Sequence, residues 1–78
     1  MNTVYLTRVD AKHNMARYYH MTLQPTLFGG WSLVREWGRI GRGGQVKMVA
    51  CKSEDEASDI MALITKQKTK RGYIQLPH

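Results

Sequence analysis

Alternating side-chain character over residues 15–24 is the feature that most limits the fold of this 78-residue chain. Apolar and aromatic residues recur at odd positions there and are separated by more polar even positions. A period of two puts alternate side chains on opposite faces of a β-strand, so we predict a half-buried strand with the odd positions facing the core. That odd set is Met15, Arg17, Tyr19, Met21 and Leu23.

Turn-forming residues separate this segment from three further predicted strands, at 3–9, 31–40 and 45–51. Proline and glycine in 25–30, and the glycines of 41–44, favour hairpin connections, so consecutive strands should be antiparallel. We expect Leu27 and Phe28, in the first of these hairpins, to cover one end of the core.

A helix is predicted in the C-terminal half. Ser53 and Glu56 have the spacing of a capping box, which marks a helix start. The helix has an apolar stripe, and Lys68 is the next position along it after Ile64. Either the alkyl stem of Lys68 therefore lies over apolar surface, or the helix frays near residue 66. Gly72 is a natural stop. The stripe itself consists of Ala57, Ile60, Met61 and Ile64.

The fold class that follows is α+β. We predict a small antiparallel β-sheet of four to five strands with one helix packed on one face, and Tyr73–Leu76 supplies the short fifth strand. Residues 1–78 have room for one domain and one modest core, without a second catalytic domain.

Charge and composition indicate the class of partner. Lys and Arg total 12 against 6 Asp and Glu, a net charge of +6, which favours polyanions. Cys51 is the single cysteine, so no internal disulfide can form, and a reducing cytoplasm is expected. No stretch approaches the roughly 20 apolar residues of a membrane span, and the N-terminus lacks a signal-peptide pattern, so we expect no membrane association.

Catalytic chemistry has little support in the sequence. His13, His20 and His78 are scattered and do not have zinc-ligand spacing with Cys51. A Cys51–His20 nucleophile pair is the one enzymatic alternative. We therefore expect a protein that is not an enzyme, with no catalytic residue, metal or cofactor.

The strand 31–40 carries the most informative constellation. Two tryptophans and two arginines occupy odd positions and should project from one face, although an unpaired guanidinium is costly to bury. Either this face is exposed and Trp37 stacks on a base or sugar, or one tryptophan belongs to the core with the arginines stacked on indole at its rim. The four residues are Trp31, Arg35, Trp37 and Arg39.

Other residues extend or qualify this constellation. Gly38 indicates a bulge or the close approach of another backbone. Arg42 lies in a glycine turn, where its charge would add to that of Arg35 and Arg39 near phosphates. A second basic cluster contacts phosphate or merely offsets the helix dipole. Its members are Lys66, Lys68, Lys70 and Arg71.

Taken together, these residues resemble the WGR domain, named for its Trp-Gly-Arg motif and known from DNA-dependent poly(ADP-ribose) polymerases. The match runs through Tyr18-Tyr19, the stretch 30–41 with Trp37-Gly38-Arg39, Gln45, and the stretch 68–73. The resemblance implies a small antiparallel sheet with one helix. It also implies that Trp37 meets a nucleotide at a DNA break, and that Arg39 meets phosphate or a partner. Because zinc fingers and an ADP-ribosyltransferase domain are missing, we expect a free-standing domain of bacterial type.

Two functions are predicted. The first is largely sequence-independent DNA binding, at ends, nicks or other breaks, with RNA left open as the nucleic acid. The second is a protein-interaction adaptor that docks an acidic partner or enzyme through the same face. The residues assigned to binding are Trp37, Gly38, Arg39, Arg35, Arg42, Lys68, Lys70 and Arg71.

Overall fold

The computed structural model describes residues 3–77 as an α+β fold, which confirms the predicted class. The strands form one five-stranded sheet of order β4-β3-β2-β1-β5, and every neighbouring pair is antiparallel. In chain order the elements are β1 (Thr3–Asp10), a 3-10 turn (Ala11–His13), β2 (Met15–Pro25), β3 (Trp31–Arg39), β4 (Gln45–Cys51), α1 (Glu54–Lys70) and β5 (Ile74–Gln75).

The core lies on the face of the sheet that α1 covers. It is built from even positions of β1 and odd positions of β2 and β3, and Tyr19, Met21 and Leu23 confirm the prediction for that part of β2. Arg17, which belongs to the same odd set, is exposed, so the prediction was wrong there. Leu6, Met21 and Leu33 are fully buried there, and α1 contributes Ala57 and Met61. We call this side of the sheet the core face. Burial of these apolar side chains is the main stabilising contribution.

The helix begins with the predicted capping interaction and continues past the predicted fraying point. Ser53 Oγ accepts a hydrogen bond from the Glu56 N–H at 3.1 Å, and Glu56 Oε1 accepts one from the Lys52 N–H at 3.3 Å. Each bond satisfies a backbone donor near the helix start. The helix ends at Lys70, and Gly72 follows with a φ of +96°, a conformation that glycine adopts without strain.

The prediction for the β2–β3 hairpin was wrong in one respect. Leu27 and Phe28 are each 97% exposed and cover no part of the core. The loop is closed by its own hydrogen bonds, from the Thr26 N–H to the Gly30 carbonyl at 2.9 Å and from the Gly30 N–H to Thr26 Oγ1 at 3.0 Å. Leu23, Leu33 and Cys51 already fill this end of the core, so the hairpin tip extends into solvent.

None of the helical segments in residues 3–77 is long and apolar enough to cross a lipid bilayer. Within the same residues, no His, Cys, Asp and Glu side chains gather in a group of three or more that would hold a metal ion.

Candidate nucleic-acid interface

The candidate site lies at the end of the core face where β3 finishes and α1 reaches its last turns. The strand register places Tyr19 opposite Trp37, and the last turns of α1 bring Lys68 over the same rung. We call this region the basic aromatic face. Its members are Arg17, Tyr19, Arg35, Trp37, Arg39, Lys47, Lys68 and Tyr73.

Trp37 is both a core residue and a partly accessible aromatic surface, the two interpretations that the sequence leaves open. It is half-buried and packs against the core, with its ring 5.8 Å from the Tyr19 ring at an interplanar angle of 16°. The Arg35 guanidinium carbon lies 5.7 Å from the centre of the Trp37 ring, and Arg35 Nη1 donates a hydrogen bond to Tyr19 Oη at 3.2 Å. The tryptophan is thus anchored on one side, and its remaining surface lines the site.

The position of Lys68 decides between the two predictions for the end of the helix, which were packing of the Lys68 stem and fraying near residue 66. Its ammonium lies 4.7 Å from the centre of the Tyr19 ring and 5.5 Å from that of Tyr73, so α1 does not fray and the cation itself covers aromatic surface. Burial lowers the pKa of Lys68, and the positive charges of Arg71, Arg35 and Arg17 lower it further. Four cations therefore crowd together here.

No acidic side chain offsets this charge in the part of the chain that the structure describes. The one contact between a basic and an acidic side chain within salt-bridge distance in residues 3–77 joins His13 Nδ1 and Asp10 Oδ2, at 2.7 Å. Glu36 occupies the opposite face of the sheet, where it accepts a hydrogen bond from Tyr18 Oη at 2.8 Å. That bond, followed by burial and the nearby Glu36 charge, raises the pKa of Tyr18.

Two concavities flank Trp37 on the basic aromatic face. One has a volume of about 520 Å³ and includes Arg35 and Lys47 in its lining, and the other has a volume of about 440 Å³ and includes Arg17 and Arg39. Both volumes lie in the range of sites that hold small molecules or parts of larger ones. Tyr19, Trp37 and Lys68 line both, so an aromatic surface runs between two basic hollows.

Arg39 is exposed and holds a turn in this structure. Its Nη1 donates to the Asn14 carbonyl at 3.1 Å, and its Nη2 donates to Asn14 Oδ1 at 3.3 Å. Asn14 has a φ of 50° in the turn before β2, so Arg39 ties the end of β3 to that turn. Both acceptors are neutral oxygens, which leaves the guanidinium charge unpaired.

Gly38 confirms the predicted close approach of another backbone. It belongs to the opposite face from Trp37, and a Cβ placed on it would lie 2.9 Å from the Gly44 Cα and 3.5 Å from Tyr18 Cε1. A Cβ on Gly44 would in turn overlap the Trp37 carbonyl and Tyr18 Oη. The glycine of the motif thus allows the β3–β4 turn to fold closely over Tyr18.

The remaining basic residues lie around the site to different degrees. Arg71 is exposed at the end of α1, close enough to lower the Lys68 pKa. Arg42 is exposed in the β3–β4 turn, where its N–H donates to the Arg39 carbonyl at 3.1 Å, and Lys70 is exposed on the last turn of α1. Neither of the two concavities described above is lined by Arg42, Lys70 or Arg71.

Sequence reasoning missed several members of the site. Arg17 and Tyr19 belong to the same odd set of β2 as the core residues, and Lys47 lies opposite Arg35 on β4. Tyr73 follows Gly72 and meets Lys68. The odd sequence positions of Arg17 and Lys47 could have identified them as members of the site. Once the registers of the two hairpins are known, odd positions of β2, β3 and β4 lie on the same face of the sheet as Arg35.

Comparison with known proteins places the chain in a family. The family model for the WGR domain matches residues 2–78. Over 74 residues the chain is 43% identical to the uncharacterized protein y4dW of Sinorhizobium fredii (strain NBRC 101917 / NGR234), covering 95% of this chain and 36% of that protein. The chain thus spans little more than a third of that relative's length. No solved structure matches it. On the strength of the family match, this chain belongs to the WGR-domain family.

Proposed function

We propose that this chain binds nucleic acid through the basic aromatic face, that DNA is the preferred ligand, and that ends, nicks or other breaks are preferred over intact duplex. The observation that carries the proposal is the group of cations around Trp37 that have no carboxylate partner in residues 3–77. Membership of the WGR family supports an interaction with nucleic acid. The proposal assigns binding, and no catalysis or cofactor, to the chain.

The chemistry of the face suits a phosphate backbone beside unstacked bases. Arg35 and Lys68 are held close to aromatic rings, so a phosphate that approaches them gains two charge-assisted contacts and relieves their mutual repulsion. A base or sugar that packs on the accessible part of Trp37 gains roughly 1–3 kcal/mol, whatever the base. A break exposes such a base or sugar, whereas an intact duplex keeps its bases stacked.

Tryptophan fluorescence tests the proposal directly. A Trp31→Phe variant leaves Trp37 as the one tryptophan reporter in the chain. Trp31 is at the opposite end of β3 from Trp37, about 20 Å away at ~3.3 Å per residue, so the change should not disturb the site. This variant is titrated with nicked duplex, blunt duplex, single-stranded DNA and RNA at two salt concentrations.

The expected result is quenching by DNA, with the tightest binding to nicked duplex. The logarithm of the duplex affinity should fall with that of the salt concentration by about 0.9 per neutralised phosphate. Equal affinity for nicked and blunt duplex would contradict the preference for breaks. Quenching by none of the four nucleic acids would contradict the proposal as a whole and would favour an acidic protein partner.

A further inference from the structure

Three arginines stand directly opposite one another on neighbouring strands. The register pairs Arg8 of β1 with Arg17 of β2, and Arg17 with Arg39 of β3. All three occupy positions that alternate onto the core face of the sheet. The Arg17–Arg39 pair lies two residues along the strands from the Tyr19–Trp37 pair. We call these three residues the arginine row. Like charges directly opposite in a sheet are destabilising, so this arrangement costs the free protein stability.

Nothing in residues 3–77 neutralises the row. No carboxylate there pairs with an arginine, and the donors of Arg39 go to the neutral oxygens of Asn14. Arg8 lies beside the backbone that follows α1, since a Cβ on Gly72 would be 3.3 Å from Arg8 Nε. Arg17 is exposed and its charge contributes to lowering the pKa of Lys68. The row is therefore open to an external anion.

The spacing of the row matches a nucleic-acid backbone. Neighbouring strands lie ~4.8 Å apart, so the row spans about 10 Å from Arg8 to Arg39. One strand of duplex DNA advances ~3.4 Å per phosphate along the helix axis, and its neighbouring phosphates lie farther apart than that along the winding backbone, so the row can contact about two successive phosphates. The rings of Tyr19 and Trp37 lie one rung, about 7 Å, along the β-strands from the row.

We propose that the arginine row is the track for the phosphodiester backbone of one nucleic-acid strand, which crosses β1, β2 and β3 at a right angle. The sugars and bases of that strand then project toward Trp37. This inference rests on the proposed function. It adds Arg8 as a binding residue, assigns a phosphate contact to Arg17 of the basic aromatic face, and gives the direction in which the strand runs.

Glutamine substitutions in the row test the inference, because glutamine keeps part of the side-chain stem and removes the charge. Arg8→Gln and Arg17→Gln are compared with Lys52→Gln, which removes one charge at the opposite end of the sheet, next to the Cys51–Trp31 pair. Binding of an oligothymidylate and of a nicked duplex is measured over a salt series. Thermal unfolding of each free variant is also recorded.

Each row variant is expected to reduce the steepness of the salt dependence by about 0.7 for the single strand and about 0.9 for the duplex. Lys52→Gln is expected to leave it unchanged. Free Arg17→Gln is expected to unfold at a higher temperature than the wild type, because a central like charge is gone. An unchanged or lower unfolding temperature would contradict the repulsion on which the inference depends.

The two proposals fail in different ways. Wild-type binding with a steep salt dependence that Arg8→Gln and Arg17→Gln preserve, or that Lys52→Gln reduces equally, would overturn the arginine row and leave the proposed function standing. If the wild-type protein binds neither the oligothymidylate nor the nicked duplex, both the arginine row and the proposed function are overturned.

Discussion

The Lys68 ammonium lies 4.7 Å from the centre of the Tyr19 ring, which joins the last turns of α1 to the middle strand of the sheet. This contact holds a cation against aromatic surface, between the two concavities that Trp37 also lines. The surroundings of Lys68 disfavour its charged form, and its pKa is therefore lowered. Burial is the main cause, followed by the charges of Arg71, Arg35 and Arg17.

The first prediction concerns the pH dependence of stability. The folded pKa of Lys68 is lower than the unfolded value of 10.5, so between the two the unfolded chain binds more protons and the free energy of unfolding should rise with pH. Lys68→Arg stays charged throughout and should lack this rise. Chemical denaturation of both proteins across the window measures the difference, and parallel curves would contradict the prediction.

Nucleic-acid affinity should change in the opposite direction over the same window. Lys68 contributes a positive charge below its lowered pKa and loses it as the pH rises through that value, so wild-type binding should weaken before the other lysines titrate. Bound phosphate raises the pKa of Lys68 again, so binding should take up a proton there. The affinity of Lys68→Arg should stay level, and a decline equal to that of the wild type would exclude a contact with Lys68.

The two tryptophans of β3 form a matched pair for testing the site. Both are half-buried against the core on the same face, at opposite ends of the strand. Trp31→Leu and Trp37→Leu should each lower stability by about 1–3 kcal/mol. Only Trp37→Leu should also weaken binding to nicked DNA, by about 1–3 kcal/mol or roughly 5- to 150-fold. Fluorescence anisotropy at a temperature where both variants are folded makes the comparison, and similar losses of affinity would argue against stacking on Trp37.

Two adjacent glycines in the β3–β4 turn should respond differently to alanine. A Cβ on Gly44 would overlap the Trp37 carbonyl and Tyr18 Oη, whereas a Cβ on Gly43 would meet nothing within 4 Å. Gly44→Ala should therefore cost about 1–3 kcal/mol, because the turn must move away from Tyr18. Gly43→Ala should stay within about 0.5 kcal/mol of the wild type. Urea denaturation measures both, and equal stabilities would show that the turn relaxes freely.

The exposed hairpin tip should tolerate polar residues. Leu27 and Phe28 are almost fully exposed, so Leu27→Ser and Phe28→Ser should each change stability by less than about 0.5 kcal/mol. Leu33→Ala, at a fully buried position, should cost about 2–5 kcal/mol. Thermal melts of the three variants decide the matter. A large loss in either tip variant would mean that the tip is covered in solution.

Local patterns were sufficient to predict most of the fold. The alternation in β2 reports which side chains share a face, and the spacing of Ser53 and Glu56 reports where α1 begins. Both signals involve residues close in sequence, so they do not depend on how the elements pack. The hairpin tip was mispredicted because the apolar character of Leu27 and Phe28 says nothing about whether the core has room for them.

The sequence by itself determined the element order, the antiparallel pairing, the identity of the two faces and the family motif Trp37-Gly38-Arg39. Only the tertiary structure decided that α1 brings Lys68 over Tyr19, and that Arg8, Arg17 and Arg39 fall in one row. Those relationships join residues far apart in the chain. They depend on strand register and helix docking, which are set by packing of the whole core and not by any local pattern.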